Sequence, residues 1–392
     1  MRFIAGPRQT GKTFLAQNFL KTKQYSNLYY NWDNSKIREQ YYKDTHFFQN
    51  EVFSTPKKGQ HYWLCLDEFH KYRKWKNILK DYFDNFHSDI RFVVTGSAKL
   101  DLFRHSGDSL AGRYFLFHLL PLTLKEIISN KIFHLTKLPD LPKLINTVFD
   151  SPTYYQKEME MLLQFSGFPE PLTMNSDIFH KRWQTTYLDS TVKNDLRDLT
   201  KINDLDNVIK LLLLLPTKVG SPLSINSLAN DLEVTFKTLK NYITALNLNF
   251  LVFMLKPYKN KIARTLKKEQ KLFFFDWSRI KDDGPRFENF IAVQLYAWLT
   301  AYNDAGLANF DLFYIKTKDG KETDFLILND NIPWLLIEAK LKKSTLEYHH
   351  HKNSQILGNI PIIQLVKEKG IIEKKSELAF QISASRFLGN IF

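Results

Sequence analysis

Short apolar runs separated by helical patterns open the chain. Arg2 to Ala5 reads as a strand, and Phe14, Leu15, Phe19 and Leu20 then recur on one helix face. Residues 28–33 form a second strand pattern. Tyr62-Trp63-Leu64-Cys65-Leu66 is a continuous apolar run of the kind a buried strand needs, and Arg91-Phe92-Val93-Val94 is another. This alternation predicts an α/β domain built on a parallel sheet over 1–130. Residues 131–216 read as a helical lid or connector, broken by Pro139, Pro142, Pro152, Pro169 and Pro171, with Met159, Leu162, Leu163 and Phe165 as core. Over 217–275, Ser224 and Thr235 stand where helix caps belong, ahead of Leu228 and Leu232 and of Leu239, Tyr242, Ile243 and Leu246, and a strand pattern follows at 250–255. Two short helices, a tight turn and a strand predict a winged helix-turn-helix, used either for nucleic acid or for packing. In 276–392, Phe287, Ile291, Leu295, Trp298 and Tyr302 share one helix face, and strands follow at 312–316, 323–328 and 334–340.

The first strand runs into Gly6-Pro7-Arg8-Gln9-Thr10-Gly11-Lys12-Thr13. Strand, glycine-bearing loop and helix come in the order of a phosphate cradle: the glycines let backbone N–H groups curl around phosphate oxygens, and the helix N-terminus adds its positive end. Lys12 is placed to neutralise the β- and γ-phosphates, and the Thr13 hydroxyl to ligate magnesium. The third strand ends in Asp67-Glu68, at the edge where parallel sheets bind ligands. Asp67 is expected in the Mg²⁺ shell and Glu68 to polarise the attacking water. Thr95-Gly96-Ser97 closes the fourth strand. It suits a hydroxyl sensor near the γ-phosphate, with Ser97 among the nucleotide contacts, and suits an ordinary turn equally. Arg113 reads as an arginine finger or as a surface arginine.

These residues, with Leu66-Asp67-Glu68 and Ala111-Gly112-Arg113-Tyr114, resemble bacterial and archaeal AAA-type ATPases whose C-terminal half is a domain of unknown function. The resemblance implies ATP and Mg²⁺ as ligands and leaves a homo-oligomer open, because Arg113 would act in its own subunit or on a neighbour. Relatives usually have a few tens of residues before the P-loop strand, a segment that helps hold adenine. With the cradle beginning at Gly6, the expectation is an upstream start or a grip on phosphates more than on the base.

In the last part, strand alternation puts Glu322 with Asp324 on one face and Glu338 with Lys340 on one face. Glu288 on the helix, Asp324, and Glu338-Ala339-Lys340 resemble the core of PD-(D/E)XK nucleases, a restriction-endonuclease-like fold. That resemblance implies metal ligation by Glu288, Asp324 and Glu338, with Lys340 activating water. His349-His350-His351 reads as a solvated run rather than a metal site.

Fifty-five Lys and Arg against 41 Asp and Glu leave a net charge of +14. That favours a polyanionic partner such as DNA, and fits poorly with a small-molecule kinase. Lys256, Lys259, Lys261, Arg264, Lys267, Lys268 and Lys271 oppose Glu269 alone, and Lys237, Lys240, Asn241 and Thr244 avoid the apolar stripe of the second helix, so both sets are candidates for phosphate or base contact. The longest aliphatic run, 211–215, is far short of a membrane span, and the single cysteine, Cys65, makes no internal disulfide. The expected setting is a reducing cytoplasm. The functional expectation is Mg²⁺-dependent ATP hydrolysis coupled to a DNA-engaging C-terminal half, either a metal-dependent nuclease or a catalytically silent switch that docks nucleic acid or protein.

Overall fold

The computed structural model describes residues 1–96, 110–129, 134–138, 140–192, 204–258 and 269–391. Two compact units result: Met1–Leu120 with Leu248–Phe250, and Pro121–Asn247 with Leu251–Phe392.

In the first unit the apolar runs become β1 (Arg2–Ala5), β2 (Tyr29–Asn31), β3 (Tyr62–Asp67), β4 (Ile90–Thr95) and β5 (Phe115–His118). All pair in parallel in the order β2-β3-β4-β1-β5. β1 is therefore flanked on both sides and opens its carboxyl end between β4 and β5, where the loop of residues 6–11 leads into the helix Lys12–Thr22. The second strand is shorter than its pattern, because Asp33 lies beyond the pairing with β3. The core is rich in aromatics: Trp32, Tyr41, Phe69 and Tyr72 pack edge-on or tilted, and Phe48 and Tyr82 meet Phe92.

The second unit begins with helices, among them Leu141–Asp150, Gln156–Phe165, Asp177–Ser190 and Leu205–Leu214. Ser224 and Thr235 cap the helices Ile225–Asp231 and Phe236–Leu248, each accepting a backbone N–H three residues on. β6 (Val252–Pro257) and β7 (Lys271–Phe274) pair antiparallel, and β6 also runs parallel to β8 (Phe310–Lys316). Both thereby join an eight-stranded sheet that includes β9 (Glu322–Asn329), β10 (Ile332–Lys340), β11 (Ile362–Val366), β12 (Ile372–Lys374) and β13 (Ala379–Ser383), in the order β12-β13-β11-β10-β9-β8-β6-β7. The long helix Asp283–Asp304 covers the sheet, burying Phe287, Ile291, Leu295, Trp298 and Tyr302 as its period predicts. Asn289 on that helix clasps the backbone of β7: its Oδ1 accepts the Phe274 N–H at 2.8 Å and its Nδ2 donates to the Phe274 carbonyl at 2.6 Å. A buried amide satisfied on both sides fixes β7 against the helix. Among the described residues, no helix is long and apolar enough to cross a membrane.

Candidate functional site

The candidate phosphate cradle is a loop with little conformational freedom. Gly6 has φ 152°, and a Cβ there would stand 2.1 Å from the Leu119 carbonyl oxygen, so no side chain fits where β1 ends. Gly11 begins the helix in the left-handed region at φ 93°, with no side-chain cap. That leaves the first helical amides to serve a ligand. Thr10 Oγ1 donates to the Pro7 carbonyl at 2.9 Å, and Lys12 Nζ donates to the carbonyls of Gly6, at 3.0 Å, and Pro7.

Asp67 gathers the rest. It is 1 % exposed at the end of β3, and its Oδ2 accepts the Thr13 hydroxyl at 2.9 Å. Tyr29 on β2 donates to the same oxygen, and Thr95 on β4 donates to Oδ1. Thr13 and Asp67 thus meet as two hard oxygen donors beside the loop, the donor chemistry that magnesium requires. Sequence reasoning missed Tyr29, and it marked Thr95 only as part of the hydroxyl-bearing Thr95-Gly96-Ser97 turn, not as a partner of Asp67. The register places Asp67 opposite Thr95 and Asn31, a relation that exists only once the strand order is known. Burial raises the Tyr29 hydroxyl well above its ordinary value, helped by Asp67, so it remains a donor. Ser97, expected among the nucleotide contacts, lies outside the described residues.

Glu68 adopts φ 56°, an uncommon conformation for a residue with a side chain, and its N–H donates to the Thr95 carbonyl at 3.1 Å. Its carboxylate pairs with Lys71 at 3.2 Å, and Lys71 also pairs with Asp33. Arg113 requires a correction. It precedes β5, whose first residue pairs with Arg2, so it lies at the amino end of the sheet while the P-loop leaves the carboxyl end. The strand between them spans about 10 Å. Arg113 Nε donates to Asp84 at 2.9 Å, and the residue is not placed to serve its own unit's nucleotide site.

The second unit holds a carboxylate pocket. Glu288, Asp324, Glu338 and Lys340 do converge, as the strand alternation predicts: Lys340 pairs with Glu338 at 2.6 Å, and Asp324 accepts the Ala339 N–H at 2.9 Å. A cleft of about 490 Å³ lined by Gly220, Glu288, Asp324, Ala339 and Lys340 opens over them. Two of the lining carboxylates, Glu288 and Asp324, also reach Lys271, which is 1 % exposed, with Nζ 3.0 Å from Glu288 Oε1, 3.0 Å from Glu322 Oε2 and 3.7 Å from Asp324 Oδ1.

Two expectations change here. Lys271 is no part of a surface basic run, because β7 turns it inward. The metal ligation expected of Glu288, Asp324 and Glu338 does not fit either, since their oxygens already face Lys271, Lys340 and the Ala339 amide. Among the described residues no group of three or more His, Cys, Asp or Glu is arranged to hold a metal ion.

Burial alone would lower the Lys271 ammonium, but Glu288, Asp324 and Glu322 outweigh it and hold it charged. One ammonium does not keep every carboxylate ionised in so dry a pocket. Burial, with Asp324, pushes Glu288 up to about 7 and Glu338 up to about 8. The histidine run is not solvated throughout either. His350 is buried, shares a 2.9 Å hydrogen bond with Thr323 Oγ1, and is lowered to about 3 by burial and by His349.

A pH dependence follows. Glu338 binds its proton more tightly folded than unfolded, so its contribution to stability is full below about 4.5 and is lost as pH rises through about 8. His350 has the opposite sign, and its contribution is lost as pH falls from 6.5 toward 3. Above 6.5 the carboxylate effect stands free of it. The urea midpoint of the second unit should fall between pH 6.5 and 8, and Glu338→Gln should make that fall shallower; an unchanged slope would remove the assignment.

With the geometry established, comparisons with known proteins agree for the first unit. Residues 1–128 match a family described as an AAA domain, and residues 156–279 match a domain of unknown function (DUF8612). The first unit is thus similar to AAA domains over nearly its whole length. An uncharacterized protein of Methanocaldococcus jannaschii is 26% identical over 94% of this chain and 79% of its own length. One from Mycobacterium tuberculosis is 23% identical over 67% of this chain and 55% of its own. The Aeropyrum pernix ORC1 protein, solved in complex with DNA, superposes with a TM-score of 0.29 at 14% identity, covering 74% of this chain and 86% of that one. The Bacillus subtilis DNA clamp loader delta protein does so with a TM-score of 0.26 at 12% identity, covering 63% and 83%.

Proposed function

We propose that the first unit binds and hydrolyses ATP with magnesium, and that this cycle biases a C-terminal half that engages nucleic acid in the cytoplasm. The observation that carries the reading is the Thr13–Asp67 hydrogen bond, which joins the helix after the phosphate loop to the end of β3. Lys12 and the loop amides would grip the phosphates, and magnesium held by Thr13 and Asp67 would offset their charge. Thr95 and Tyr29 hold Asp67 in place by donating to its two oxygens, while Glu68, at the next position, orients the attacking water.

For the C-terminal half, the two capped helices followed by the β6–β7 pair support a winged helix-turn-helix. Lys237, Lys240, Asn241 and Thr244 are all exposed on its second helix. A cleft of about 770 Å³ runs beside them, lined by Lys240, Thr244, Asn247 and Lys256. Lys259, Lys261, Arg264, Lys267 and Lys268, which extend the basic run, lie outside the described residues. Of the nuclease and the silent-switch readings, the occupied carboxylate pocket favours the second.

A salt-titrated binding measurement on duplex DNA tests the nucleic-acid partner. Affinity should fall steeply with salt, and Lys237→Ala/Lys240→Ala should reduce the log–log slope by about 2, at roughly 0.9 per phosphate contact. Absence of binding even at low salt would leave a protein as the partner.

A further inference from the structure

PD-(D/E)XK-like cores imply a divalent metal, and this pocket departs from that pattern at one residue outside the motif. We propose that Lys271 is the resident cation of the carboxylate pocket: its ammonium takes the place of a divalent metal ion and keeps one out. The inference rests on the reading of the C-terminal pocket as nuclease-like, and it makes the pocket a metal-independent element of the second unit.

The geometry argues for a built arrangement. Lys271 Nζ lies within 4 Å of three carboxylates from two elements, Glu288 on the long helix and Glu322 and Asp324 on β9. An ammonium offers its three N–H donors at about 3 Å, whereas magnesium would draw the same oxygens in to about 2.1 Å. The two arrangements exclude each other. Lys271 also has no room to withdraw. Its side chain is 1 % exposed, its aliphatic stem starts from a backbone paired to Leu255 on β6 and bridged to Pro222, and β7 is clasped at Phe274 by Asn289. Moving the amine into solvent would take apart the edge of the sheet and leave buried carboxylates without their counter-charge.

Lys340, whose side chain is 43% exposed, already lies against Glu338, with Nζ 2.6 Å from Oε1. All three carboxylates of the expected metal set, Glu288, Asp324 and Glu338, therefore face ammonium groups or an amide. The sequence pattern for metal ligation is intact, and its oxygens are engaged by side chains of the protein itself.

Manganese is the probe, because its paramagnetic signal counts bound ions directly. Nucleotide-free wild-type protein, titrated with Mn²⁺ alone and compared with Asp324→Asn, is expected to show no difference in bound metal, and Lys271→Met is expected to gain one Mn²⁺ per chain. Asp324→Asn added to Lys271→Met should abolish that gain. A wild-type site that Asp324→Asn removes would overturn the proposal, and so would a folded Lys271→Met protein that takes up no extra ion. Because Lys271→Met strips a counter-charge from the pocket, Lys271→Met/Glu322→Gln offers a better balanced second route to the same reading. The wild-type comparison decides the exclusion by itself if neither variant folds. DNA binding measured in the same wild-type preparation separates the ideas: its loss would sink the nucleic-acid reading and leave the Lys271 result standing.

Discussion

Lys12→Ala is expected to lower ATP turnover by a factor of about 10² or more, since one charged donor to the developing phosphate charge commonly contributes that much. Lys12 is buried and closes on the loop that would carry the phosphates, so its loss should weaken nucleotide binding as well as turnover. Glu68→Gln should act differently. It keeps the shape of the side chain and leaves Asp67 and Thr13 untouched, so ATP binding measured by calorimetry should persist while turnover falls about 10²- to 10⁴-fold. Equal turnover in both variants and wild type would remove the hydrolytic assignment. Tight binding in Lys12→Ala would instead show that the grip lies elsewhere in the first unit.

Trp277→Ala should be the most damaging single truncation in the second unit. The ring is fully buried, lies edge-on to Phe290 at 5.2 Å, and donates from Nε1 to the Leu162 carbonyl at 2.8 Å. Gly167 exists as glycine for the same reason, since a Cβ there would stand 2.8 Å from the Trp277 ring. Truncation removes the packing and strands a buried carbonyl, a loss of about 3–5 kcal/mol. Trp277→Phe keeps most of the volume and gives up the hydrogen bond, so about 1–2 kcal/mol is expected. Urea denaturation distinguishes them; similar midpoints for the two variants would mean that the indole hydrogen bond dominates and the packing argument fails.

The candidate nucleotide site was legible in the sequence wherever its chemistry is local. A phosphate cradle is a contiguous loop, so Gly6 to Thr13 declared themselves by residue type and spacing, and the apolar run before Asp67 announced a buried strand ending at the ligand edge. Helix caps are local too: Ser224 and Thr235 stand within one turn of the amides they satisfy. Legibility ended at contacts between strands. Thr95 and Tyr29 reach Asp67 only because β4 and β2 flank β3, and nothing in their own neighbourhoods marks Asp67 as their partner. Arg113 carried the right residue type, yet the parallel register of β5 with β1 put it at the opposite end of the sheet.

The composition and motifs of this chain determine by themselves a P-loop domain and a set of carboxylates at strand positions that share a face, because those features depend on period and neighbour order. Only the tertiary structure decided what those carboxylates face. Lys271 sat in a basic run read as a candidate for phosphate contact, and His350 in a histidine run read as solvated, but β7 and the helix Tyr348–Ile356 carry both into the interior. Burial is a property of the whole packed chain, and a charged residue's role turns on whether water or a carboxylate surrounds it. The residues within reach of Lys271 are separated from it by up to 53 positions, a distance that only folding closes.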